Sequence, residues 1–298
     1  MSAAELVIKN DHWSVDLHPR GACVTRLFPR VVGRSIVRDS PQQLTTGRDS
    51  GAYPVPTLFG RHENKRVVIA GRTFEIPSER DFALHGMELD HLYHVAEHTE
   101  QRIEFVISMH EIVQNYPFPS RVTVMYSLLD AIFRVCIRVK NLSDEYAIPA
   151  MAAWHPFYLR YLESDGGLDT HLRLQAHFGE ILRFDGAQPI PTKAAAPALP
   201  HEKYSLSRIV TSPYDNSLTW DGEAKLYWPG QLELSMSSNA KWFHIFTGRE
   251  RAVCLESLLG SANGLWLRDV LQNAMYGSLV QPGEEAFLQT DLQILKFR

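Results

Sequence analysis

The sequence predicts an all-β protein, a large antiparallel β-sandwich of many short strands, and three observations carry that expectation. Apolar and polar residues alternate with a period of two in segment after segment, β-branched and aromatic residues concentrate in those segments, and no stretch of helical period exceeds about three turns. Taken in order, residues 5–9 and 13–17 open the chain as alternating strands, and 103–108, 121–128 and 133–139 form a run of three more. Further strands are expected at 225–228, 232–236, 242–246, 252–256 and 286–295. One stretch breaks the pattern. Residues 185–200 are rich in Pro and Ala, which excludes a central strand and predicts a surface excursion, because strand-like segments flank it on both sides.

Composition narrows the function classes. The 298 residues could hold one large β domain or two ordinary ones; no internal repeat is present, and a single domain spanning 1–298 is expected. A hydrophobic fraction of 45% is ample for a core. With 30 basic against 34 acidic residues and a formal net charge of -4, the chain has no basic footprint for nucleic acid and no polybasic stretch for a membrane surface. A small neutral or polar ligand fits better. The N-terminal residues lack the pattern of a secretory signal, and no run reaches the ~18 apolar residues of a membrane span. The three cysteines, Cys23, Cys136 and Cys254, are odd in number, widely separated and flanked by apolar residues, as expected of free thiols in the cytoplasm. The oligomeric state is left open.

Two short runs carry the chemistry. Ala152-Ala153-Trp154-His155-Pro156-Phe157-Tyr158 and Val253-Cys254-Leu255-Glu256-Ser257 each place one ionisable side chain in an otherwise apolar, strand-like segment. Burying an imidazole or a carboxylate is unfavourable unless it is paired or used, since desolvation disfavours the charged form of each. A histidine titrates near neutrality and a desolvated glutamate is raised toward it. Together they could give a proton to one oxygen while taking one from another, which is the chemistry of opening and closing a sugar ring.

Five pieces in order resemble the aldose 1-epimerase (galactose mutarotase) family. They are Gly60-Arg61-His62-Glu63-Asn64-Lys65-Arg66-Val67; Leu84-His85-Gly86; Trp154-His155-Pro156-Phe157-Tyr158, preceded by the turn Asn141-Leu142-Ser143-Asp144; Tyr214-Asp215-Asn216-Ser217-Leu218-Thr219; and Val253-Cys254-Leu255-Glu256, followed by Asn263. Gln281-Pro282-Gly283-Glu284 is similar to the turn before the family's last strand. The resemblance implies a galactose mutarotase-like supersandwich with an open sugar-binding cleft, and a cofactor-independent isomerase without a metal. It also implies roles. Glu256 would be the general base on the anomeric hydroxyl and His155 the general acid on the ring oxygen. His85 would hydrogen-bond the ring oxygen or a neighbouring hydroxyl, and Asp215 would bind hydroxyls far from C1.

Two positions depart from the family pattern. Its sugar-contacting arginine follows the asparagine directly, where this chain has Lys65, whereas counting back from the next β-branched residue selects Arg66. Neighbours on a strand face opposite ways, so one of the two is expected to reach the sugar, and the Gly60-Arg61-x-x-Asn64 register favours Lys65. Ser257 stands where the family usually has proline. Three functions stay open at this point: a mutarotase for a free hexose or related aldose; a mutarotase for a phosphorylated hexose, for which Arg61, Lys65, Arg66 and Arg72 would supply charge; and a sugar-binding or sensing protein without turnover.

Overall fold

The computed structural model describes residues 6–63, 65–77, 82–162, 170–182, 204–205, 214–262, 264–265, 268 and 273–297. The expected excursion at 185–200, Asn64 and Asn263 lie outside the described residues. The strands are β1 (Leu6–Lys9), β2 (Trp13–His18), β3 (Cys23–Pro29), β4 (Ala52–Val55), β5 (Arg61–Glu63), β6 (Arg66–Ile69), β7 (Arg72–Glu75) and β8 (Phe82–Leu84). They continue as β9 (His94–His98), β10 (Arg102–Ile107), β11 (Ser120–Leu129), β12 (Ile132–Asn141), β13 (Ile148–Pro149), β14 (Ala153–Leu159), β15 (Arg173–Ile181) and β16 (Tyr204–Ser205). The last six are β17 (Asp215–Trp228), β18 (Leu232–Ser238), β19 (Trp242–Phe246), β20 (Ala252–Leu258), β21 (Leu279–Val280) and β22 (Glu285–Phe297). The α-helix Met109–Ile112 is one short turn.

Sixteen of these strands join one antiparallel sheet in the order β1-β2-β3-β4-β14-β20-β19-β17-β18-β22-β12-β11-β10-β9, with β15 and β16 branching from β17. The sheet curls until its ends meet. The Lys9 N–H donates to the Glu100 carbonyl at 2.7 Å, and His98 Nε2 lies 3.1 Å from the Val7 carbonyl, so both edge strands are covered rather than exposed.

The curl packs one half of the sheet on the other. Trp154 on β14 points inward, its ring 5.8 Å from that of Tyr126 on β11 and 6.3 Å from that of Phe133 on β12. Ser257 on β20 points the same way and hydrogen-bonds Thr290 on β22. Its hydroxyl therefore serves the core between the halves. The Asn141 side chain donates to the carbonyls of Tyr146 and Val280 at 2.8 and 3.0 Å and accepts from the Ser143 N–H, which fixes the turn read from Asn141-Leu-Ser-Asp.

β14 and β20 lie next to each other in the middle of the sheet, and every residue from Ala153 to Tyr158 and from Ala252 to Leu258 is buried. Such strands have no solvent face, which is why their sequences read as continuous apolar runs. The pairs Ala153↔Leu258, Trp154↔Ser257 and Phe157↔Cys254 set one register, in which His155 falls opposite Glu256. The ladder lapses at His155 and Pro156, and Pro156 has no N–H to donate.

Two expectations change here. β17 begins at Asp215, well before the strand expected at 225–228, so Asp215 is a strand residue. Lys65 and Arg66 are not neighbours on one strand: Lys65 has φ 54° and sits in the turn between β5 and β6, and Arg66 opens β6. The alternation argument therefore does not apply to them.

Candidate active site

Across the middle of the sheet one register line collects the polar groups. Tyr53 on β4 pairs with His155 on β14, His155 lies opposite Glu256 on β20, Glu256 pairs with His244 on β19, and His244 pairs with Ser217 on β17. Directly opposed residues point to the same face, so four consecutive strand-to-strand steps align five side chains. Asp215, two residues before Ser217, shares that face. Trp154, Ser257 and Phe243 alternate to the other face and fill the core.

His155 is 5% exposed and Glu256 is 0% exposed, with Nε2 3.3 Å from Oε1. The Tyr53 ring stacks on the His155 ring at 4.4 Å and 25°, and Phe157 lies 4.9 Å away, which fixes the imidazole plane. Neither Glu256 oxygen has a hydrogen-bond partner, nor does His155 Nδ1, so the 3.3 Å approach is a contact rather than an aligned hydrogen bond. Burial pushes the Glu256 carboxyl well above the ordinary carboxylate range, with the Asp215 charge adding to it. Burial likewise holds the His155 imidazole well below its ordinary value, aided by His85 and His244.

Attraction between the two would oppose these shifts. At 3.3 Å it amounts to about 5 kcal/mol for an effective dielectric of ~20. Removing two ions from water costs several kcal/mol each, and the penalty is offset only when further hydrogen bonds satisfy the charges. Glu256 has none, so the neutral forms win: a carboxylic acid beside a neutral imidazole. That arrangement carries one proton, the same number as a carboxylate beside an imidazolium. The pair itself is closed off from solvent, whereas Asp215 on the same face is half exposed. A cavity of about 540 Å³ lies elsewhere, lined by Arg72, Phe74, Tyr146 and Arg268 among others and by none of the residues in the polar row.

His85 approaches from a turn. Its ring is 5.3 Å from that of His155 and at 80° to it, with Phe59 and Tyr53 also against it. The Gly60 N–H donates to its Nδ1 at 3.2 Å, so the neutral ring carries its proton on Nε2 and presents a donor there. The turn is sterically determined. His85 has φ 55° and Gly86 φ 70°, and a Cβ on Gly86 would come 2.3 Å from Glu88 Oε2. This is the physical reason for glycine in Leu84-His85-Gly86.

Two groups that sequence reasoning missed grip the same turn. Arg48 donates to the carbonyls of Leu84 and Gly86 at 2.8 and 2.9 Å, bracketing His85, and pairs with Asp90. Glu88, fully buried, accepts from the hydroxyls of Thr57 and Tyr116 beneath it. No local pattern marks Arg48 or Glu88, because their partners come from other segments of the chain.

The third missed group is His244. Its Nε2 lies 3.1 Å from Asp215 Oδ1 and its Nδ1 3.0 Å from Ser217 Oγ, with the Phe59 edge 5.5 Å away. Asp215 is therefore engaged by an imidazole while remaining half exposed on its other side. The apolar run Trp242-Phe-His-Ile-Phe, with a single ionisable residue in it, could have flagged His244 as a buried polar position. Arg66 is exposed and pairs with Glu75 across the β6–β7 hairpin at 3.1 Å, whereas Lys65 is half-buried. The structure thus brings together His85, His155, Glu256 and Asp215 and leaves Arg66 outside.

The buried carboxyl has a consequence for stability. Its folded value is raised above the unfolded one near 4.5, so its proton favours the folded state at low pH and this advantage is lost as pH rises toward the folded value. Glu256→Gln, which keeps the shape without the ionisation, is expected to melt at a higher temperature than wild type at pH 8. The difference should shrink as the pH falls toward about 4.5, where the unfolded carboxyl is protonated as well. Thermal unfolding across pH measures it, and a pH-independent difference contradicts the raised value.

Comparison with known proteins bears on this arrangement. The chain superposes on a candidate aldose 1-epimerase from Escherichia coli K12 with a TM-score of 0.80 at 16% identity, covering 99% of both chains. It is similar to a galactose mutarotase related enzyme from Lactobacillus acidophilus (TM-score 0.75, 18% identity, 99% of this chain and 98% of that one). It is also similar to a galactose mutarotase-like protein from Lactobacillus casei ATCC 334 (TM-score 0.76, 16% identity, 98% and 100%). At these identities the likeness establishes the fold. No protein of curated function matches the chain in sequence. Among the described residues no helix is long and apolar enough to cross a membrane. The sequence profile described as aldose 1-epimerase matches residues 5–288, nearly the whole length, and the chain belongs to that family.

Proposed function

We propose that this protein, acting as one unit along its length, interconverts the α and β anomers of a free hexose or related aldose, with Glu256 and His155 as the proton-transfer pair. The observation that carries the proposal is the buried contact at 3.3 Å between a carboxyl and an imidazole. Ring opening needs a proton removed from the anomeric hydroxyl and one delivered to the ring oxygen, two atoms joined through the same carbon. When the sugar enters above the pair, contact with its hydroxyls solvates both groups and favours the carboxylate and imidazolium forms.

Glu256 then takes the O1 proton as His155 gives its proton to the ring oxygen. The bond from C1 to the ring oxygen breaks, and C1 becomes an aldehyde carbon. Rotation about C1–C2 turns the other carbonyl face to the hydroxyl. In the return step His155 takes the hydroxyl proton, the bond re-forms, and Glu256 protonates the carbonyl oxygen. The pair finishes as it began, with one proton, and the chemistry involves no change of oxidation state. His85 donates from Nε2 to the ring oxygen or its neighbour. The Asp215–His244 unit receives hydroxyls remote from C1, and Lys65 is the cation offered to the sugar.

The same geometry favours an unphosphorylated substrate over a sugar phosphate. A dianion requires several converging cations. Arg66 is paired with Glu75, and the Arg72 guanidinium lies over Tyr146 at 4.6 Å and Phe74 at 5.2 Å. A binder without turnover would have no use for a buried, unpaired carboxyl beside an imidazole, which costs stability in the absence of catalysis.

Anomer exchange followed by NMR or polarimetry over a panel of free and phosphorylated sugars tests the proposal. Glu256→Gln is expected to lower the rate by about 10²–10⁴-fold while sugar binding persists. The wild-type profile is expected to be bell-shaped, falling where the pair gains a second proton and where it loses its only one, the apparent values belonging to the pair. Activity of the variant within about threefold of wild type, well short of a positioned acid or base, contradicts the assignment.

The basic residues give a separate expectation. Lys65→Ala should reduce kcat/KM by an amount worth about 1–3 kcal/mol, as for loss of a charged hydrogen-bond donor, and Arg66→Ala should be nearly silent. The reverse order would return Arg66 to the site.

A further inference from the structure

On β20 the side chains of Cys254 and Glu256 alternate to the same face, and His155 stands opposite Glu256 on the neighbouring strand. Three donors of different chemistry therefore converge: a sulfur, an imidazole nitrogen and a carboxylate oxygen. All three residues are buried, and their ligand atoms lie within 4.8 Å of one another. Two positions i and i+2 on one strand plus a third on the next give three ligands on one side of a metal and leave its fourth position directed away from the sheet.

We propose that this cluster binds a borderline-soft divalent cation, Zn²⁺ in particular, as a reversible inhibitor of the site. Thiolate, imidazole and carboxylate together are the ligands that zinc selects, at bond lengths of about 2.0–2.3 Å, which puts ligand atoms of a tetrahedral site roughly 3.3–3.7 Å apart. His155 Nε2 and Glu256 Oε1 already stand at 3.3 Å. Cys254 Sγ, within 4.8 Å of both, has to move closer to complete a tetrahedral set. Both carboxylate oxygens of Glu256 are buried and without hydrogen-bond partners, so a ligand there meets an acceptor with no competing bond.

Charge also balances. A Zn²⁺ ion with one thiolate, one carboxylate and a neutral imidazole sums to zero, the state that a buried site tolerates best. On binding, the thiol proton and the single proton of the acid/base pair leave to solvent, and three metal bonds form. The pair can then no longer move a proton, so the bound ion inhibits.

One feature separates this site from that of a resident metal. Tightly held metal-ligating histidines donate their second ring N–H to a carboxylate, carbonyl or water, whereas His155 Nδ1 has no partner. The ion is thus an inhibitor that exchanges, not a built-in cofactor.

Metal binding stands on the geometry alone, while the inhibition rests on the proposed function, and the two are read separately. Cobalt(II) added to the full-length protein without sugar should give a sulfur-to-cobalt charge-transfer band in the near ultraviolet and the visible bands of a tetrahedral ion, and zinc should bleach both. Cys254→Ser and Cys254→Ala, each checked for folding by circular dichroism, should lose the charge-transfer band; Cys23→Ser and Cys136→Ser should retain it. In the exchange assay, zinc should inhibit the wild type, and Cys254→Ser should weaken that inhibition about tenfold or more, as for loss of one metal ligand. No band at millimolar cobalt, or a band that survives in both Cys254 variants, overturns the site. A band without zinc inhibition leaves the metal site standing and removes the inhibitory role.

Discussion

Two titratable side chains sit on the central strands of a sheet with no solvent to stabilise their charges, and the rest of the site is arranged around that constraint. β14 from Ala153 to Tyr158 and all of β20 are buried, so His155 and Glu256 are held in contact and burial disfavours the charged form of each. Neutrality does not disable them. In the proposed ring opening one proton is given and one is taken, so the pair starts and finishes with the same number. The sheet supplies position as well as environment. Its register aligns Tyr53, His155, Glu256, His244 and Ser217 without any loop, and sites on strands are held more closely than sites on loops.

The loops that do contribute are restrained from beneath. His85 sits in a left-handed turn whose flanking carbonyls are held by Arg48, and a glycine follows because Glu88 fills the space a side chain would need. A residue in that backbone conformation persists only when its surroundings determine it. Here the determinants are two charged side chains from different parts of the chain. The pair beside this turn is buried, His155 at 5% and Glu256 at 0% exposure.

Much of this was legible in the sequence and the remainder was not, for identifiable physical reasons. The strands at 121–128, 133–139 and 232–236 were readable because each has one buried and one less buried face, and burial largely repeats every second residue. His155 and Glu256 stood out for the opposite reason: a charge in a continuous apolar run is locally conspicuous. Arg48 and Glu88 were not conspicuous, since each derives its meaning from a partner that only the fold brings near. Lys65 and Arg66 do not share a strand, because the chain turns at Lys65 with a positive φ that the sequence Asn64-Lys65-Arg66 does not reveal. Ser257, legible only as a departure from proline, proves to serve the core through Thr290.

The protonation state of Glu256 in the sugar-free protein tests the central claim most directly. Infrared difference spectroscopy at neutral pH, comparing wild type with Glu256→Gln and with isotopically labelled glutamate, reads the carbonyl stretch of a protonated carboxylic acid separately from the carboxylate bands. A protonated, non-exchanging carboxyl that disappears in the variant is the result this account predicts. A Glu256 signal found only among ionised carboxylates at neutral pH would mean that the buried pair is an ion pair, and that burial does not set its proton.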